Sequence, residues 1–357
     1  MLCRRDRVER QGADTFLIKY SHKRSAIMAE ADRHVGILGT GSYLPEKVLT
    51  NADLERMVDT TDEWITTRTG IKERHIAADD ETVGDMGAAA ARQALANAGI
   101  GPESIDLIIV ATITPDSYFP STACQVQHKL GIKNVPSFDL SAACSGFVYG
   151  FSVAEQFIKG GSAKHVLVVA AEKLSAITDW SDRSTCVLFG DGAGAAVLGP
   201  VESGGILGTH LGADGSGGDL LYCRATASRS NGPHGGSPTP SNTLQMQGNV
   251  LFKHAVRLMT DAALTVIKPL GLTAADIKLI IPHQANSRIL NAVAKRLGID
   301  PQTQLYLNLE KRGNMSAAST AIALAEAVEE GRMKRGDIIL LDAFGGGLTW
   351  GAMAIQW

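Results

Sequence analysis

Cys144 stands in "FDLSAACSGFVYGF", where an extended apolar run passes through small residues into helical spacing. A lone cysteine is usually a small buried hydrophobe. The position argues for more. A helix N-terminus exposes unpaired N–H groups and partial positive charge, which favour a thiolate. Ala142, Ala143, Ser145 and Gly146 leave room beside the sulfur for an acyl group. The chemistry expected is nucleophilic attack through a covalent intermediate. Cys3, Cys124, Cys186 and Cys223 lack this setting.

A nucleophilic thiol needs partners. "IIPHQAN" puts His283 just past a predicted strand, and "RGNMSAAS" puts Asn314 just before a predicted helix. Taken singly, His283 reads as a core or surface histidine and Asn314 as a helix cap. Together they fall at one edge of the same predicted sheet. The order Cys, His, Asn also fits papain-like proteases, but the "CGSCW"-like surround and a disulfide framework are missing. Gly345, Gly346 and Gly347 follow a buried run, where a backbone can approach a ligand closely or simply turn a hairpin. "GDGAGA" matches a dinucleotide fingerprint only in letters, because "AVLGP" after it reads as a strand.

The elements that must position these residues are legible. "HVGILGTGSYLP", "IDLIIVAT", "HVLVVAAE", "IKLIIPH" and "DIILLDAF" are short apolar runs suited to buried strands. Phe147, Phe151, Ala154 and Ile158 recur at helical spacing, as do Ala321, Leu324, Ala325 and Val328. Strand alternating with helix predicts a mostly parallel, covered sheet. The halves echo each other: "IDLII" then "KLGI" and "SAAC", against "IKLII" then "RLGI" and "SAAS". This internal duplication predicts a site at the seam and pairs Cys144 with Ser319. The polar stretch from about Thr226 to Asn242 reads as a surface loop.

The chain has 357 residues, 45% hydrophobic, with a net charge of −3. That fits a soluble α/β protein with a large core and gives no reason to expect a nucleic-acid or membrane partner. Five scattered cysteines without a CxxC pair signal neither a disulfide framework nor a metal site. A reducing compartment is the simplest reading. The first 27 residues carry seven Lys or Arg against three Asp or Glu and too short an apolar stretch for a secretory signal. They read as an upstream extension or flexible tail, with Met28 a candidate start and the fold beginning near His34.

"TTDEWITTRTGIKERHIA", "SAACSGF", "FGDGAGAAVL", "IPHQANSRI", "GNMSAAS" and "AFGGGLTWG" together resemble the β-ketoacyl-[acyl-carrier-protein] synthase III family, from about His34 to Trp357. The resemblance implies a thiolase-like α/β fold: duplicated βαβα halves in a five-layered αβαβα sandwich. The expected organisation is an extension over 1–33, a half over 34–206 carrying the cysteine, and a half over 207–357 carrying His and Asn. It implies a cytoplasmic homodimer that joins an acyl-CoA primer to malonyl-acyl carrier protein with no cofactor or metal. Cys144 resembles the acyl acceptor, and His283 and Asn314 the pair promoting decarboxylation. The backbone N–H groups of Cys144 and Gly346 would form the oxyanion hole. Trp64, Arg68 and Arg183 match positions holding the adenine and phosphates of coenzyme A. Gly248 and Asn286 match the pantetheine tunnel, and Phe119 the floor of the partner's acyl pocket. Lys253, Arg288, Lys295 and Arg296 match a patch at the tunnel mouth that would dock the acidic carrier protein. A related condensing enzyme of secondary metabolism, a Cys-His-Asn thioester hydrolase and a non-catalytic carrier are the alternatives.

Overall fold

The structure is a computed structural model that describes residues 34–224 and 242–357. The readings made for residues 1–33 and for most of the stretch from Thr226 to Asn242 lie outside the described residues. In chain order the elements used below are β1 (His34–Tyr43), α1 (Asp62–Thr69), α2 (Val83–Ala98), β2 (Leu107–Ala111), α3 (Thr122–Leu130), β3 (Ser137–Leu140), α4 (Gly146–Lys159), β4 (Val166–Lys173) and β5 (Asp191–Val201). They continue as β6 (Gly205–Ala213), α5 (Gly248–Ile267), β7 (Ile277–Pro282), α6 (Ser287–Leu297), α7 (Ala317–Glu329), β8 (Ile338–Gly345) and β9 (Thr349–Gln356).

Among the described residues, two sheets organise the molecule. The first runs β1-β5-β4-β2-β3 and the second β6-β9-β8-β7. Each passes from antiparallel to parallel pairing in that direction. A parallel bridge from Ile280 to Leu305 continues the second sheet where β3 continues the first. Both sheets are therefore mixed, which corrects the expectation of mostly parallel strands. The reason is local: β8 returns as β9 through the tight Gly346–Leu348 turn, and so short a link joins only antiparallel strands.

Three apolar cores separate five layers. Val83, Met86 and Ala90 of α2 and Val126 of α3 pack on the outer face of the first sheet, against Ile108 and Val169. Phe147 and Phe151 of α4 and Ile322 and Leu324 of α7 fill the space between the sheets. Leu251 and Met259 of α5 and Leu290 and Val293 of α6 cover the second sheet. The four helix positions read from α4 are fully buried, and Phe147 and Phe151 touch at 4.4 Å between ring centres. Such burial stabilises by about 1.5–3 kcal/mol per large side chain. "AVLGP" lies in β5, as its pattern required.

The pairing of Cys144 with Ser319 differs in the structure. Ser319 lies inside α7, its Oγ accepting the Met315 N–H at 2.8 Å. The matching landmark is a residue with left-handed backbone, Ala143 at φ 46° and Ser316 at φ 49°. By that landmark Ala317 is the counterpart of Cys144.

Candidate active site

Cys144 sits in a single 3₁₀ turn, Ala143–Ser145, that feeds α4. No side chain caps this helix start; the Ser145 and Gly146 N–H groups donate instead to the carbonyls of Ala142 and Ala143. Gly345 presses on the turn: a Cβ there would come within 2.6 Å of the Cys144 nitrogen. The glycine run is thus a hairpin turn that also touches the Cys144 backbone, and Gly346 and Gly347 line a cavity with Cys144.

His283 follows directly on β7, and its N–H donates to the Asp342 carbonyl of β8 at 2.8 Å. Asn314 is stitched to the first half. Its N–H donates to the Leu188 carbonyl at 2.9 Å, and its carbonyl accepts from Gly190 at 3.0 Å. Its Oδ1 accepts the Ser316 N–H at 2.9 Å, which leaves the amide NH₂ as the donating end.

Cys144, His283, Asn314, Gly346, Gly248 and Asn286 all line one cavity of about 770 Å³. Leu188, Phe189, Leu251, Met259, Ile289 and Phe344 give it apolar walls. Burial controls both ionisable groups. It pushes the Cys144 thiol up to about 12. The nearby Ser316 hydroxyl and the cysteine's own N–H pull it the other way. At 8% exposure, loss of water works against the thiolate that the helix terminus was expected to favour. Burial also holds His283 down to about 4, with the Ser316 carbonyl drawing it up. Its Nδ1 has no hydrogen-bond partner among the described residues.

The other expected residues fall outside the cavity wall. Trp64 meets two cations, with Arg68 at 5.4 Å and Arg183 at 4.8 Å from its ring centre. Cation–π attraction and the Arg183 bond to the Asp59 carbonyl hold this cluster at the surface. Asn286 joins it to the cavity: its Nδ2 donates to the Arg68 carbonyl at 3.0 Å, while its Oδ1 caps α6. Arg288 lies 5.8 Å from the ring centre of Phe252, which lines the cavity. Lys253, Lys295 and Arg296 are exposed, the last two at the far end of α6. Phe119 is 87% exposed, which removes the reading of a plain core ring. Its neighbour Tyr118 lines the cavity.

Two residues carry no role in the sequence reading. Ser316, inside the quoted "GNMSAAS", lines the cavity beside Cys144. Glu172 ends the apolar run "HVLVVAAE" and is fully buried. An acid closing an apolar strand was the signal available for it. Asp342 of β8 is also fully buried, with neither side-chain oxygen partnered among the described residues, and burial raises its acid well above the usual range.

Comparison with known proteins places this geometry. Residues 138–215 match the family model for 3-oxoacyl-[acyl-carrier-protein] synthase III, and residues 267–357 match the model for its C-terminal part. The chain is 56% identical over 323 residues to a β-ketoacyl-[acyl-carrier-protein] synthase III of Caldanaerobacter subterraneus subsp. tengcongensis, spanning 90% of this chain and 97% of that protein. The crystal structure of 3-oxoacyl-[acyl-carrier-protein] synthase III from Aquifex aeolicus superposes with a TM-score of 0.85 at 52% identity, over 90% of this chain and 100% of that one. The priming β-ketosynthase of the R1128 polyketide pathway superposes equally, at 40% identity over 90% and 96% of the two chains. These likenesses leave no place for the papain-like alternative.

Proposed function

The chain belongs to the β-ketoacyl-[acyl-carrier-protein] synthase III family of thiolase-like condensing enzymes, acyltransferases that initiate fatty acid synthesis, and from that premise we propose that it primes synthesis with a short acyl-CoA, acetyl-CoA first, on Cys144. The supporting observation is that Cys144, His283 and Asn314 meet on one largely apolar cavity, where burial favours the uncharged form of both thiol and imidazole.

In the first half-reaction Cys144 attacks the thioester and coenzyme A leaves. The N–H groups of Cys144 and Gly346 hold the oxyanion. Trp64, Arg68 and Arg183 hold the nucleotide end, and Gly248 and Asn286 flank the pantetheine arm. Malonyl-acyl carrier protein then enters, docked by Lys253, Arg288, Lys295 and Arg296. Loss of CO₂ leaves an enolate. Neutral His283 donates through one ring nitrogen and Asn314 through its amide. Two donors aimed at one developing oxyanion form an electrostatic site, each worth about 10²–10³ in rate. The carbanion attacks the acyl-cysteine and releases 3-oxoacyl-acyl carrier protein. In the cytoplasmic homodimer that this reading includes, the exposed Phe119 ring is covered by the partner subunit's acyl pocket.

The test is mass spectrometry of the enzyme after acetyl-CoA. An acetyl adduct on Cys144 that malonyl-acyl carrier protein discharges to a 3-oxoacyl product supports the reading. An adduct elsewhere, or one that water discharges as fast, overturns it. Rates across a series of acyl-CoA primers separate an acetyl-primed enzyme from a priming synthase of a secondary pathway.

A further inference from the structure

Glu172, the last but one residue of β4, is fully buried. A buried carboxylate needs partners, and one short segment after β2 supplies three. Thr112 Oγ1 and Thr114 Oγ1 donate to its Oε2 at 3.2 and 2.7 Å, and the Ile113 N–H donates to the same oxygen at 3.1 Å. Thr112 and Ile113 line the catalytic cavity. The fourth neighbour is Ser316, which also lines it. Ser316 is 1% exposed, and its Oγ has no hydrogen-bond partner among the described residues. It lies near enough to Cys144 and to Glu172 to favour charge on both, without closing a bond to either. Its left-handed backbone, at φ 49°, is one a serine adopts only when its surroundings impose it. A hydroxyl both donates and accepts. A buried, unpartnered one that lines the cavity with the thiol and neighbours the carboxylate stands where a proton can be relayed.

We propose that Glu172 takes the proton of Cys144, through the Ser316 hydroxyl, as the thiol attacks the acyl-CoA, and returns it when the condensed product leaves. This rests on Cys144 being the acyl acceptor. In acylation the Sγ–H bond breaks and the Sγ–C bond forms. The thiol proton moves to Ser316 Oγ while the serine proton moves to Glu172. The thioester C–S bond breaks, and coenzyme A leaves with the electron pair and takes a proton from solvent. In condensation the new C–C bond forms, the Sγ–C bond breaks, and the thiolate recovers its proton from Glu172 by the same route. Nothing is oxidised or reduced.

The surroundings favour Glu172 over His283 as acceptor. Burial raises the Glu172 acid to about 7, against the hydrogen bonds from Thr114, Ile113 and Thr112. That lies near a working pH, where a general base is most effective. His283, held at about 4, is the weaker base. Among the described residues, Cys144 is the titratable group facing Glu172 from the turn before α4. Lys173, next in sequence, turns away to the carbonyls of Ala78, Asp79 and Glu81. Asp139 of β3 is taken up by the N–H groups of Thr122 and Ala123. Asp191 of β5 is taken up by those of Ala77 and Ser175.

The experiment is rapid-quench acylation of the full chain by labelled acetyl-CoA, without malonyl substrate, from about pH 5.5 to 9. The wild type is expected to rise through a midpoint near 7. Glu172→Gln should lose that limb and slow acylation about 10²-fold, with Ser316→Ala matching it. Both variants should slow acylation more than they slow malonyl-thioester decarboxylation by the acyl-free enzyme. Thr114→Val removes a donor to the carboxylate and should move the midpoint upward. A Glu172→Gln enzyme that acylates at the wild-type rate with the limb intact overturns the relay. So does one that acylates faster, since removing a nearby negative charge alone would ease thiol ionisation. If Glu172→Gln loses both half-reactions through misfolding, the Thr114→Val midpoint decides, and an unmoved midpoint overturns the relay. Wild type without label on Cys144 overturns the nucleophile assignment itself.

Discussion

In the first half a left-handed Ala143 (φ 46°) precedes Cys144, and in the second a left-handed Ser316 (φ 49°) follows Asn314 by two residues. Both corners end a connection from a parallel strand and open a central helix, α4 or α7. They are loaded differently. The first presents a thiol beside room for an acyl group. The second presents an amide donor, with His283 of the neighbouring strand end beside the same cavity. Burial then acts on thiol and imidazole in opposite directions, up to about 12 and down to about 4. The result is common to both: each is uncharged near neutrality, because an isolated charge in this cavity lacks water. Both corners reach one cavity, and on the proposed function side-chain type alone divides the labour between them.

That division can be broken at either corner. Cys144→Ala should abolish acyl transfer and leave malonyl decarboxylation running, read by adduct formation and by CO₂ release. Asn314→Ala should do the reverse, with acyl-enzyme forming and decarboxylation falling about 10²–10³-fold. If both folded variants lost both half-reactions, the two corners would not be separate functions. The cavity's mouth and floor sharpen the comparison. Arg288→Glu should raise KM for malonyl-acyl carrier protein by on the order of tenfold, more at low salt, and leave acetyl-CoA kinetics nearly unchanged. An equal loss with both substrates would locate the damage in the shared tunnel. Phe119→Ala should shift kcat/KM from acetyl-CoA towards butyryl- and hexanoyl-CoA, by about 0.8 kcal/mol, or roughly fourfold, per added methylene. An unchanged preference in an intact dimer would remove Phe119 from the acyl pocket. The smallest effect is an absence of change. Decarboxylation should stay flat from about pH 5.5 to 8, because His283 gains its proton only near 4, below its ordinary 6.5. A limb centred near 6.5 would mean that the imidazole titrates as if solvated.

The sequence by itself determined most of the buried strands, the inward faces of α4 and α7 and the three residues now gathered at the cavity. These are local signals. An apolar run between turn residues, a repeat near 3.6 and a cysteine at a strand-to-helix corner are visible within a short window. It also separated β5 from a dinucleotide loop, because the residues after "GDGAGA" have strand character. Tertiary structure decided what depends on distant chain segments. How far burial pushes the Cys144 thiol up follows from how much water the assembled cavity removes. Glu172 reads as the end of an apolar strand until the segment after β2 and the corner before α7 close around it. Trp64 acquires its two guanidiniums from positions four and 119 residues away. The second separation is one that no periodicity spans. Phe119 looks like a core ring by composition, yet its turn carries it outward. Burial and electrostatics are sums over the whole fold, whereas periodicity is a property of a few neighbouring residues, so only the second can be read along the chain.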